Sequence, residues 1–102
     1  MKKKLLVTDE AKADLRGIRK YIEEDNADKA REFVADLTAK IAWIAEVDFT
    51  GSPRDNVLKG LRAHPYRGRC IYFISEPDRI VILGVLHQAR DVPSDYFDDR
   101  KG

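Results

Sequence analysis

Between residues 59 and 69 the chain reads KGLRAHPYRGR. Lys59, Arg62, Arg67 and Arg69 are cations there, His64 is titratable, and no acid interrupts them. Cations this close together suit a phosphate partner, because each adds to the potential its neighbours present. Downstream, His87 adds a second proton carrier, Arg90 another guanidinium and Tyr96 an aromatic hydroxyl. These types match the needs of a metal-free attack on a phosphodiester: a general base, a cation for the charge developing on phosphorus, and a proton donor for the leaving oxygen. Against that chemistry stand Asp95, Asp98 and Asp99, which flank Tyr96 and repel a phosphate backbone. Each residue also has a plainer role. The basic run suits the solvated face of a sheet edge, His64 before Pro65 a turn, His87 a hydrogen-bonded strand end, and Arg90 with Asp91 a local ion pair. Cys70 reads as a small buried hydrophobe, since no base stands at a suggestive spacing, and Trp43 as part of a core.

The elements that must position these groups follow from the apolar pattern. Residues 3–7 form a short apolar stretch after opening lysines, suited to an edge strand. Thr8 is a helix cap, with Asp9 and Glu10 in the first turn, and Ala11, Leu15, Ile18 and Ile22 make one apolar stripe. The polar run Glu23-Glu24-Asp25-Asn26 stops that helix. A second stripe, Ala30, Phe33, Leu37, Ile41 and Ile44, follows after a short connection and predicts an antiparallel helical hairpin. After the Gly51-Ser52-Pro53 break the period changes to that of strands, over residues 57–63, 67–75 and 79–86. The expected fold is α+β in the order βααβββ: an antiparallel meander under the two helices, then a short acidic tail with room for a last helical turn. One domain spans residues 1–102, a length at which a single modest core forms.

Composition narrows the setting. Apolar residues are 43% of the chain and charged residues 36%, the balance of a folded protein, and the formal net charge is +1. A single cysteine permits no internal disulfide, and two distant histidines offer no metal spacing, so neither a metal nor a cofactor is expected. The apolar start ends at Thr8 without a signal-peptide core, and no stretch approaches the roughly 18 apolar residues of a membrane helix. A cytoplasmic protein is the expectation.

The stretches AKADLRGIRKYIEEDNADKAREFVADL, GSPR, LKGLRAHPYRGRCIYFI and RIVILGVLHQARD, in this order, resemble the RelE/ParE toxins of type II toxin-antitoxin modules. The opening ADL..I..YI and the terminal H..RD are closer to the ParE branch. The resemblance implies a growth-arresting toxin neutralised by a ParD-like, DNA-binding antitoxin, with operator DNA engaged only through that partner. ParE-like members poison DNA gyrase and have no catalytic residue; RelE-like members cut messenger RNA on the ribosome. For gyrase binding the candidates are Lys59, Arg62, Arg67, Arg69 and Arg90. For the ribonuclease they are Arg62, Arg69, His87, Arg90 and Tyr96, a partial match to the RelE pattern. Antitoxin contacts are expected near Leu15, Ile18, Trp43 and Ile44. A sheet-based nucleic-acid domain is disfavoured, because Tyr66, Tyr72 and Phe73 do not form an alternating stacking platform.

Overall fold

Strand β1 (Lys4–Val7) passes into helix α1 (Asp9–Glu23) through Thr8. The Thr8 hydroxyl accepts the Ala11 N–H at 3.1 Å and donates to the Ile82 carbonyl at 2.9 Å, so one side chain caps the helix and ties it to the sheet. Asn26 starts helix α2 (Ala27–Val47) in the same way, accepting the Lys29 N–H at 3.0 Å. Asp48 ends α2 in the left-handed conformation (φ 52°) and places its N–H on the Ile44 carbonyl. The stripes read from the sequence face inward: Ala11, Ile18, Ala30, Leu37, Ile41 and Ile44 are all buried. This computed structural model describes residues 2–100; residues 1, 101 and 102 of the predicted domain lie outside the described residues.

Four further strands complete one sheet: β2 (Ser52–Pro53), β3 (Leu61–Tyr66), β4 (Arg69–Ser75) and β5 (Arg79–His87), in the order β1-β5-β4-β3-β2. The chain is α+β with a helical hairpin on a sheet, as predicted, but the sheet is mixed and has five strands. β1 lies parallel to β5, with Lys4 opposite Arg79 and Val7 opposite Ile82. Strand propensity carries no direction. The meander supplies β5 with a partner on one edge only, and β5 is apolar on both faces, so β1 supplies the second ladder.

The strand predicted over residues 57–63 is displaced. Residues 54–60 instead curl into a loop: the Val57 and Leu58 N–H groups both reach the Arg54 carbonyl, and the Gly60 N–H reaches Asp55 Oδ1 at 2.9 Å. Val57 and Leu58 are both buried, and both join the core on the sheet face opposite the helices. Lys59 consequently sits exposed in that loop. Arg67, predicted to open the next strand, occupies a two-residue hairpin turn with Gly68 at φ 51° and 78°, the left-handed pair that matches strand twist.

Both faces of the sheet are covered. The helices pack on Ile71, Phe73, Ile80, Ile82 and Val85. The opposite face, with Ala63, Cys70, Tyr72, Leu83 and Leu86, is roofed by Val57 and Leu58 from the loop and by Phe97 from the tail. Phe97 is fully buried although acids surround it in sequence, and a fully buried phenylalanine contributes about 1.5–3 kcal/mol. The expected last helical turn is a 3-10 turn, Asp98–Arg100. The register skips at β5, where Tyr72 faces Gly84 and Phe73 faces Ile82, leaving Leu83 as an extra residue.

Candidate functional site

The β3–β4 hairpin and the end of β5 meet at one end of the sheet. Arg69 lies directly opposite His87 in the β4–β5 ladder, so their side chains share a face. A tight turn follows: His87 Nδ1 accepts the Ala89 N–H at 3.1 Å, and the His87 carbonyl accepts the Arg90 N–H at 3.0 Å. His87 is thus the hydrogen-bonded strand end that its position suggested. Arg69, His87 and Arg90 line a shallow groove of about 300 Å³ against Asp14, Gly17, Ile18 and Tyr21 of α1.

Asp14 closes the edge of β5. β1 pairs with β5 only as far as Ile82, and beyond it Asp14 Oδ2 accepts the Val85 N–H at 3.0 Å and an Arg100 Nη1 hydrogen bond at 2.9 Å. Arg100 also donates to the Leu83 carbonyl at 3.1 Å and the Tyr96 hydroxyl at 3.3 Å. Both side chains of the Asp14–Arg100 pair are only 16% exposed, so the pair clasps the tail to α1 in partly dry surroundings. Gly84 makes room for it: a Cβ there would stand 2.8 Å from Arg100 Nη1 and 3.0 Å from the Phe97 ring. Tyr96 is held between two guanidinium groups, Arg90 at 4.8 Å and Arg100 at 4.9 Å from its ring centre. Arg90 therefore stacks on Tyr96 rather than pairing with Asp91.

Arg67 turns away from the groove. Its Nη1 lies 2.6 Å from Asp36 Oδ2, and the Tyr66 hydroxyl donates to Asp36 Oδ1 at 2.9 Å. The Arg67 and Tyr66 donors hold the Asp36 carboxyl below its usual range, and the hydrogen bond that Tyr66 donates to that carboxylate raises its phenol. Beside this knot is an aromatic row: Phe49 is 4.7 Å from His64 and 4.9 Å from Trp43, and Lys40 Nζ lies 4.3 Å over the Trp43 ring. Burial, then the charge of Lys40, pushes the His64 imidazole below its ordinary value. His64 is a strand residue packed in this row, not the turn residue its neighbour Pro65 suggested. Cys70 is buried, and burial raises its thiol; Tyr72 beside it is pushed up to about 12 for the same reason.

Of the five ribonuclease candidates, Arg69, His87 and Arg90 come together. Arg62 stands opposite Phe73 near β2 and does not line the groove, and Tyr96 is locked in the tail clasp. Of the antitoxin candidates, Leu15 is half-buried and Trp43 is 36% exposed, whereas Ile44 lies wholly in the core and Ile18 is buried with only an edge in the groove. Asp14, Gly17 and Arg100 escaped the sequence reading. Asp14 carried a signal: it stands three residues after Ala11 and four before Ile18, a carboxylate inside an apolar stripe that had to find a partner.

Residues 5–92 match the model of the family described as ParE toxin of type II toxin-antitoxin system, parDE. The chain belongs to the ParE toxin family. In fold, this ParE family member is similar to a chain from a structure described as the chromosomal ParDE TA system from P. aeruginosa. The TM-score is 0.72 at 24% identity, covering 83% of this chain and 95% of that one. No curated protein sequence matches significantly. The ParE match spans the hairpin, the meander and the groove, and ends at Val92, so the Tyr96–Arg100 clasp lies beyond it. Among the described residues no helix is long and apolar enough to cross a membrane.

Proposed function

We propose that this ParE family protein is a growth-arresting toxin of the cytoplasm that binds and traps DNA gyrase and is neutralised by a ParD-like antitoxin. Operator DNA is reached only through that antitoxin, and the toxin has no membrane role. The observation that carries the choice of a binding toxin over an enzyme is the clasp on Tyr96. Tyr96, the tail aromatic among the ribonuclease candidates, is held between Arg90 and Arg100 outside the lining of the groove, where it does not face a leaving group bound there. The cations that remain accessible, Lys59, Arg62, Arg69 and Arg90, suit contact with an acidic protein surface or with gyrase-bound DNA. The test is direct. Purified toxin added to gyrase and plasmid blocks supercoiling or accumulates cleaved DNA, and the antitoxin reverses the effect. Unchanged supercoiling at saturating toxin refutes the proposal.

The convergence of Arg69, His87 and Arg90 favours one alternative, a RelE-like cut of messenger RNA on the ribosome. In that reading Arg69 stabilises the phosphorane and His87 moves the proton. Translating ribosomes exposed to the toxin then yield messages cut at A-site codons, and Arg69→Ala abolishes the cuts. Intact messages exclude it.

A further inference from the structure

The outer edge of β1 is open. In its parallel ladder the Lys4 and Thr8 N–H groups reach the Asp78 and Ile82 carbonyls, so the alternation turns the N–H and C=O of Leu5 and Val7 away from β5. Among the described residues those outward groups meet no partner. The side chains beside them are apolar and face water. Leu5 is 40% exposed, on the helix face beside Ile80, and Leu6 is 42% exposed, on the opposite face beside Val81. Charge is divided along the same edge. Lys2, Lys3 and Lys4 line a hollow at the start of the strand together with Asp48 and Asp78, and Asp48 is already paired with Lys3. Asp9, Glu10 and Asp99 line a second hollow at its end, where Lys12 opposes them and Arg100 is already matched by Asp14. The start is thus net positive and the end net negative. Lys2, Lys4, Asp9 and Glu10 are exposed and enter no ion pair among the described residues.

We propose that β1 is a self-pairing edge, at which two copies of the chain join antiparallel across a two-fold axis at Leu6 and make one continuous sheet. One register satisfies every outward group. With Leu5 of one copy opposite Val7 of the other, the two residues exchange N–H and C=O, and the symmetry repeats the exchange. A shift that sets Leu5 on Leu5 leaves Val7 facing Lys3, whose N–H is already on the Ala45 carbonyl. A shift that sets Val7 on Val7 sends Leu5 to Asp9, the first residue of α1, where no strand continues. In the satisfied register Leu6 meets Leu6 of the other copy in a non-hydrogen-bonded pair, where side chains approach closest, and Leu5 covers Val7 on the helix face. The antiparallel direction also brings the lysine end of each copy to the acidic end of the other, whereas parallel pairing sets like charges together. Assembly stops at two copies, because the far edge at β3 is partly covered by β2 and carries Pro65, which has no N–H to offer. Nothing in this pairing depends on the toxin reading.

Sedimentation velocity on the full chain, from about 5 to about 500 μM, is the test, since so short an edge makes a weak interface with a dissociation constant of about 10–100 μM. The wild type shifts from monomer to dimer as concentration rises, and less so at high salt. Leu6→Lys places two ammonium groups on the axis, and Leu5→Pro removes an outward N–H that the monomer leaves in water. Each lowers the dimer affinity by about tenfold or more. The charge-reversed variants, Lys2→Glu with Lys4→Glu and Asp9→Lys with Glu10→Lys, stay monomeric alone and dimerise when mixed. Circular dichroism checks folding, and if Leu5→Pro fails to fold, the mixed variants decide. A wild type that stays monomeric throughout refutes the proposal, as do folded Leu6→Lys or Leu5→Pro chains that dimerise within about threefold of wild type, or mixed variants that stay apart. If the wild type is monomeric and Leu6→Lys instead weakens antitoxin binding, the edge belongs to that partner and self-pairing is overturned.

Discussion

His64 has a neutral role that pH exposes. Its folded-state value lies below the ordinary one, so the unfolded chain binds the proton more readily. Stability is therefore fully present above about pH 6.5 and declines as pH falls through the lowered value. Trp43, the only tryptophan, lies 6.1 Å from the His64 ring and reports the change. The melting temperature falls between pH 7 and 5.5, and His64→Gln flattens that part of the profile; an identical slope in the variant refutes the assignment. Asp36 acts in the same direction but lower, since its Arg67 and Tyr66 hydrogen bonds are lost only as the carboxyl protonates below the usual carboxylate range. Gly84 is a steric requirement rather than a conformational one. Gly84→Val pushes against Arg100 and Phe97 and costs about 1–3 kcal/mol in urea unfolding, the range for overpacking a well-filled site. His64 and Gly84 were both visible in the sequence, but what each touches was not, because these partners are 13 or more positions away: Trp43 for one, Phe97 and Arg100 on a different segment for the other.

At the scale of elements, the two sheet edges are managed differently. Tyr66 and Arg69 flank a two-residue turn, so Pro65 occupies a position whose backbone points away from β4, where a missing N–H blocks further pairing. Pro65→Val restores that donor, and we expect sedimentation velocity to show concentration-dependent self-association. At the other edge the opening lysines and the short β1 give way to the Asp14–Arg100 clasp. The tail it holds is a third layer, and Phe97→Ala costs about 3–5 kcal/mol by thermal or chemical unfolding, as for other buried aromatics. A loss below about 1 kcal/mol would show that the tail is not an integral layer. The helix cap at Thr8 and both stripes were legible because they depend on neighbours three or four residues apart. The loop over residues 54–60 was not. Val57, Leu58 and Leu61 suit a strand locally, and only the Asp55 and Arg54 hydrogen bonds close the chain on itself.

In the whole molecule one sheet serves two cores, with β4 and β5 contributing alternate side chains to each. Neither layer can unfold without uncovering those strands, so Trp43 fluorescence and far-ultraviolet circular dichroism follow one coincident transition in urea. Two separated transitions would contradict this. The ParE family and the α+β class followed from the sequence alone, because hairpin stripes, β-rich runs and their order are written in local residue types. So was the clustering of cations between residues 59 and 69. The tertiary structure decided which of those cations share a place. It sent Arg67 to Asp36, left Lys59 on a loop, and brought Arg69 together with His87 and Arg90 against Gly17. The parallel ladder of β1 with β5 and the clasp of Asp14 with Arg100 belong to the same group. They join segments 71 or more residues apart, and no local propensity carries register or direction over that separation.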